Sequence, residues 1–265
     1  MSTALTAAFL EQAGYCEALD SPFMGRLLRL LARHWPEGTK LARKLALWQG
    51  DLGPMADSLP LRVAGGLHAL RLLGKDDALE AAYPPNDVSD DALWTVVEGA
   101  LSTHDDFLCE WVEHAPQTNE VRRAAALIAG AHLVAGRFGL PLRVSELGAS
   151  GGLNLMFDQF GLHLPDQRIG PQDATVALNP DWKGAAPLPA ELTIVERRGV
   201  DLNPIDAHDP SGALRLQAYL WPDQAERLSR TKAAIAVQNA PVDKADAIEW
   251  LESRLAPTGG QCHLI

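Results

Sequence analysis

Leu142-Arg143-Val144-Ser145-Glu146-Leu147-Gly148-Ala149-Ser150-Gly151-Gly152-Leu153-Asn154 is the stretch on which the reading of this chain turns. An apolar strand runs into an acid and then into a turn of small residues. A helical stretch follows from Leu153 to Phe160. Glycines at 148, 151 and 152 let the backbone come close to a ligand. Free N–H groups at the start of the following helix favour polar or anionic ligand groups.

Several chemistries use such a turn. A dinucleotide fingerprint needs glycines at 148, 150 and 153, and this chain offers Gly148, Ser150 and Leu153. A phosphate-binding loop ends in Gly-Lys-Ser/Thr, and no Lys follows here. Gly148-Ala149-Ser150-Gly151-Gly152 fits the Gly-x-Ser-x-Gly elbow of a serine hydrolase. Asp206 or Asp209 and then His263 would complete a triad in the right order. An elbow, however, normally follows several strands, and everything before Leu142 reads as helix. The turn also fits an S-adenosylmethionine loop, with Glu146 two residues ahead of Gly148 and with Ser150 and Gly152 continuing it. A tight turn with no ligand is the remaining reading.

Composition bounds these options. The chain has 265 residues, 47% of them apolar, enough for a sizeable core in one or two domains. A net charge of −11 with no tight Lys/Arg cluster argues against nucleic-acid binding. Cys16, Cys109 and Cys262 are isolated, which suggests neither a disulfide framework nor a Cys-based metal site. The histidines lack ligand spacing, so no metal is expected. No run of about 20 apolar residues suggests a membrane span. The first residues lack the basic start and long apolar core of a leader. A cytoplasmic setting is the expectation.

Apolar residues recur three and four apart through Phe23 to Leu31, Leu61 to Leu73, Leu93 to Trp111 and Val121 to Phe138, predicting helices. Gly139-Leu140-Pro141 is a stop signal. Beyond Leu142 strands and helices alternate. Strand signals fall at Leu142 to Leu147, Leu192 to Glu196, Pro241 to Ala247 and Cys262 to Ile265, with helices at Pro222 to Val237 and Ile248 to Leu255. Leu162 to Leu164 and Ala174 to Leu178 suggest a hairpin insertion at about 161–190. The fold class is therefore α/β, a helical domain at 1–140 followed by a doubly wound, Rossmann-like domain at 141–265.

Four runs resemble one known family. They are Pro116-Gln117-Thr118-Asn119-Glu120-Val121-Arg122, Glu146 to Asn154, Arg198-Gly199-Val200-Asp201-Leu202-Asn203-Pro204-Ile205-Asp206, and Trp221-Pro222-Asp223-Gln224 with Arg227. In this order and spacing the chain resembles the bacterial DUF2332 family, a domain of unknown function whose members look like S-adenosylmethionine-dependent methyltransferases. The resemblance implies S-adenosylmethionine as cofactor and methyl transfer to an acceptor that the sequence does not name. It implies that Glu146 receives the cofactor's amino group and that Gly148, Ser150 and Gly152 form its loop. Glu196 or Asp201 takes the ribose hydroxyls, with strand geometry favouring Glu196. Asp246 receives the adenine amino group or caps a helix, and Asn119 and Arg122 border the carboxylate end or simply cap the helix that follows. No catalytic base can be assigned. A methyltransferase sheet has seven strands, whereas this chain reaches about four. Its last strand is expected beside the first, with an open edge that invites a second copy. The alternative function is a non-catalytic cofactor-binding module on the same scaffold.

Overall fold

The computed structural model describes residues 2–265. The chain divides into two compact units. The first holds the residues up to Gln117 together with Gln217–Leu228, and the second holds Thr118–Leu216 and Ser229–Ile265. The divide at 117/118 precedes the boundary drawn from the sequence at 140/141. The helix before the first strand makes its contacts with that strand's own unit.

The first unit is helical. It contains α1 (Thr3–Ala18), α2 (Pro22–His34), α3 (Lys40–Ala46), α4 (Leu59–Leu72), α5 (Asp77–Ala82), α6 (Asp90–Thr103) and α7 (Asp105–Trp111). The single run expected from Leu93 to Trp111 breaks at His104, which ends α6 and starts α7. Side chains set the helix starts. Ser2, Thr39, Asp76 and Ser89 each accept an N–H from the first turn of α1, α3, α5 and α6. The core is built on Phe9, Leu27, Leu28, Leu31, Leu59, Leu67 and Leu70, all fully buried. Each such side chain contributes roughly 1.5–3 kcal/mol on burial.

The returning segment Gln217–Leu228 belongs to this unit through specific bonds. Asp223 accepts Phe23 N at 3.0 Å and Ser21 Oγ at 2.5 Å, standing in for a cap at the start of α2. His68, 1% exposed on α4, bonds through Nδ1 to Ala218 O at 3.1 Å. This explains the Trp-Pro-Asp-Gln run as a docking element of the helical unit.

The second unit opens with a short 3-10 turn, Val121–Arg123, and α8 (Ala124–Phe138). Gly139 ends α8 in the left-handed region, as the stop signal predicts. Then come β1 (Leu142–Leu147), a 3-10 segment Leu153–Gln159, β2 (Gly161–His163), β3 (Arg168–Ile169), β4 (Ala177–Leu178) and β5 (Ile194–Asp201). The chain continues through α9 (Pro210–Ala218), α10 (Ala225–Val237), β6 (Val242–Lys244), α11 (Ala247–Glu252) and β7 (Cys262–Leu264). The main sheet has four strands in the order β6-β5-β1-β7, and every pairing is parallel. β7 lies beside β1, with Leu142 opposite Cys262 and Val144 opposite Leu264, where the sequence places it.

Three local expectations need correction. The insertion forms a three-stranded sheet, order β3-β2-β4, rather than a lone hairpin. α9 was not foreseen, although Asp209-Pro210-Ser211 carries a start signal: Asp209 accepts the N–H groups of Ser211 and Gly212, each at 3.0 Å. The second core strand is Ile194–Asp201, not Leu192 to Glu196. Arg197 and Arg198 do not end it, because each is neutralised by a two-pronged carboxylate pair. Arg197 binds Asp158 at 2.6 and 2.9 Å, and Arg198 binds Asp243 at 2.6 and 2.7 Å.

Asp223→Ala is expected to lower the stability of the helical unit by about 1–2 kcal/mol, since it strips the start of α2 of its acceptor. Urea unfolding followed by circular dichroism checks this, and an unchanged midpoint would contradict the docking role.

Candidate functional site

In a parallel sheet the ligand crevice lies beyond the carboxyl ends of the strands, where the chain order reverses. Here the reversal is at β1, with β5 on one side and β7 on the other. A cavity of 460 Å³ opens there, within the roughly 300–1,000 Å³ range of small-molecule sites. Its polar wall includes Asn119, Arg123, Glu146 and Asn154, and its apolar wall includes Leu127, Leu155, Phe157 and Leu264. A second hollow of 430 Å³ lies between residues 204–208 and 238–242, next to Gly151.

The turn after β1 is left-handed at alternate positions, with φ +67° at Gly148, +54° at Ser150 and +70° at Gly152. The two glycines serve different ends. A Cβ on Gly148 would meet nothing within 4 Å, and this residue lines the cavity. A Cβ on Gly152 would lie 2.8 Å from Val242 and 2.9 Å from Gln238, so packing under the sheet demands that glycine. Ser150 is not glycine, and its conformation is held from outside. Its N–H donates to Asp201 Oδ2 at 2.9 Å, while Asp201 Oδ1 accepts Asn203 N at 2.8 Å. Asn119, 6% exposed, closes the turn by accepting Leu153 N at 2.9 Å.

Glu146 is the most perturbed group in the cavity. Burial pushes its carboxyl up to about 7, while a hydrogen bond from Asn154 and the charge of Arg123 pull the other way. Its Oε2 is sealed from solvent and accepts no hydrogen bond. Arg123 forms no ion pair or side-chain hydrogen bond among the described residues. It lines the same cavity as the carboxylate, beyond ion-pair distance of it.

Other predicted residues lie elsewhere. Glu196 sits near the start of β5, opposite Arg143, and not at its carboxyl end. It accepts Arg143 Nε at 3.0 Å and Arg254 Nη2 at 2.5 Å, and these arginines, Arg254 foremost, hold its carboxyl below the usual range. The strand that was read as ending at Glu196 runs five residues further, so Asp201 holds the terminal position. Asp246 is exposed and caps α11, accepting Ile248 N at 2.9 Å and Glu249 N at 3.3 Å. Arg122 and Arg123 are both exposed, and of the two it is Arg123 that lines the cavity, in the place expected of Arg122. One position in a 3-10 turn swings a side chain to another face, which helical spacing alone cannot foretell.

No serine triad is assembled. Ser150 Oγ is buried without a partner, and His263 Nε2 bonds Ser145 Oγ at 2.8 Å instead. Asp206 and Asp209 bond neighbouring backbone N–H groups. Among the described residues no three His, Cys, Asp or Glu side chains gather to hold a metal. The cysteines are free, and no described helix is long and apolar enough to cross a membrane.

Fold and site together define a mixed α/β protein whose parallel sheet carries a ligand-sized cavity at its point of reversal. The family described as "Uncharacterized protein conserved in bacteria (DUF2332)" matches residues 6–265, and the chain belongs to it. No match was found among curated proteins or among solved structures.

The raised carboxyl of Glu146 has a consequence for stability. Folding holds this proton more tightly than the unfolded chain does, so its contribution is complete below about pH 4.5 and is lost as pH rises to about 7. Glu146→Gln is therefore expected to stabilise the protein above pH 7, by on the order of 2 kcal/mol, and to change little near pH 4.5. Thermal unfolding of both forms at the two pH values checks the sign. A variant less stable at the higher pH would refute it.

Proposed function

We propose that this chain binds S-adenosylmethionine at the carboxyl end of β1 and transfers its methyl group to an acceptor. The observation that carries the reading is the cavity at the reversal point, bordered by Gly148 and Glu146 in a β6-β5-β1-β7 parallel sheet. Its chemistry suits the ligand. The buried carboxylate of Glu146 lacks a donor, and the ligand's amino group brings one. Arg123 lacks an anion, and the ligand's carboxylate brings one. Gly148 presents bare backbone to the cavity where a side chain would intrude. We assign the ribose to Asp201, which ends β5 and braces the turn beside the cavity without lining it. Each of its oxygens accepts one backbone N–H and keeps a lone pair for a further bond.

The sulfonium of the cofactor supplies an activated methyl group. The chain's part is to hold and orient. Asp201 and Asn119 fix the turn, Glu146 and Arg123 anchor the amino-acid end, and Leu155, Phe157 and Leu264 exclude water. Such positioning and desolvation account for rate without an assigned base.

Gly148→Val is expected to abolish binding of S-adenosylhomocysteine while circular dichroism stays native, because a branched side chain would fill the cavity. Asp201→Asn should weaken binding about tenfold or more, and Glu196→Gln should leave it unchanged. Calorimetric titration reads all three. Unaltered affinity in Gly148→Val would remove the proposal, and incubation with labelled cofactor would separate turnover from binding alone.

A further inference from the structure

β7 holds to the main sheet by little. It has three residues, lies at an edge and pairs only with β1, where Cys262 N donates to Pro141 O at 2.9 Å. Side chains of a strand alternate between its faces, so the two faces of β7 meet different surroundings. Leu264, followed by Ile265, lines the 460 Å³ cavity. His263 lies on the opposite face, with its Nε2 2.8 Å from Ser145 Oγ on β1. That hydroxyl also accepts Arg254 Nε at 3.2 Å, and Arg143 Nη1 donates to Arg254 O at 3.1 Å. A single acid, Glu196, answers both guanidinium groups, accepting Arg143 Nε at 3.0 Å and Arg254 Nη2 at 2.5 Å. The next acid, Asp243, is taken by Arg198 at 2.6 and 2.7 Å.

We propose that β7 is a proton-sensitive wall of the cavity, closed while His263 is neutral and loosened when it gains a proton. A neutral Nε2 takes the proton of the Ser145 hydroxyl, whose oxygen already serves Arg254. A protonated ring can still donate to that oxygen, but it sets a third positive charge beside Arg143 and Arg254, with Glu196 alone to offset them. Burial and the charges of both arginines lower the imidazole below its usual range, while Glu196 pulls the other way. The contribution of the neutral ring to docking is therefore complete above about pH 6.5 and is lost as pH falls below it. On the other face of the sheet, Glu146 and Arg123 line the cavity, and protonation of Glu146 acts in the opposite direction, stabilising the fold as pH falls. Release of Leu264 and Ile265 would open the apolar side of the cavity to water, so affinity there would follow the same proton. The inference stands on β7 and its neighbours and holds whatever the cavity binds.

The test is hydrogen exchange at the Cys262 amide, corrected for the intrinsic effect of pH and compared at about pH 8 and about pH 5. In the native chain, protection should fall at least about tenfold on acidification. His263→Gln keeps an acceptor for Ser145 and never charges, so its protection should not respond to pH. His263→Lys carries the charge throughout and should stand at the acid level already at the higher pH. Amides in the middle of α8 should stay protected in all three forms, which reports an intact fold. The midpoint of the native change should coincide with that of the His263 ring, followed through its carbon-bound protons by NMR. Where a variant fails to fold, these two native midpoints decide. Native protection that ignores pH, midpoints that differ, an equal fall in His263→Gln, or a His263→Lys chain as protected as the native one would each overturn the proposal.

Discussion

The bond from Ser150 N–H to Asp201 Oδ2 is the constraint on which the site depends. A left-handed backbone costs a residue with a Cβ about 1–2 kcal/mol, and Ser150 carries that cost at φ +54°. A charge-assisted bond to a carboxylate at the end of the neighbouring strand is of the right size to offset it. Since β5 is registered against β1 from Arg143–Glu196 to Leu147–Val200, sheet pairing places Asp201 under the turn. Sheet and loop are thus fixed together. The turn then presents Gly148 to the cavity and tucks Gly152 beneath the sheet.

Two kinds of carboxylate stand out in this unit. Glu196 and Asp243 are bound by arginines, and the partners lower both below the usual range. These pairs belong to the sheet's own structure. They let charged residues occupy mid-strand positions, and Arg254 extends the network to Ser145 and His263. Glu146 is the opposite case. It faces the other side of β1, where α8 and the 3-10 segment after the turn leave little water. Burial without a full set of donors raises it toward neutrality. Glu196, Asp158 and Asp243 each have an arginine, and Glu146 has none within ion-pair distance.

The helical unit obeys a simpler rule. α1, α3, α5 and α6 start where a short polar side chain accepts a first-turn N–H, and α2 starts on a carboxylate supplied from the far end of the chain. That carboxylate lies in one of the four runs that carry the family resemblance. The run thus contributes to the stability of this unit.

Much was legible in the sequence because it rests on local physics. Helical periodicity located α2, α4 and α8. Gly139-Leu140-Pro141 marked the stop before β1, and the alternation after Leu142 announced a parallel sheet. The Glu146–Gly148 turn borders the cavity that the fold opens there. What the sequence left open depends on contacts between distant residues. The strand signal spanned Leu192 to Glu196, and only folding brings Asp158 and Asp243 beside Arg197 and Arg198 in a strand that continues to Asp201. Arg122 and Arg123 cannot be told apart by spacing, since a single 3-10 turn decides which faces the cavity. Asn154 carries no signal of its own. Its unsatisfied oxygen emerges only when β1, the turn and the preceding helix close around it. Local sequence thus determined the elements and the position of the turn. Tertiary structure decided which side chains remain unpaired inside the cavity, because pairing depends on distances that no stretch of sequence contains.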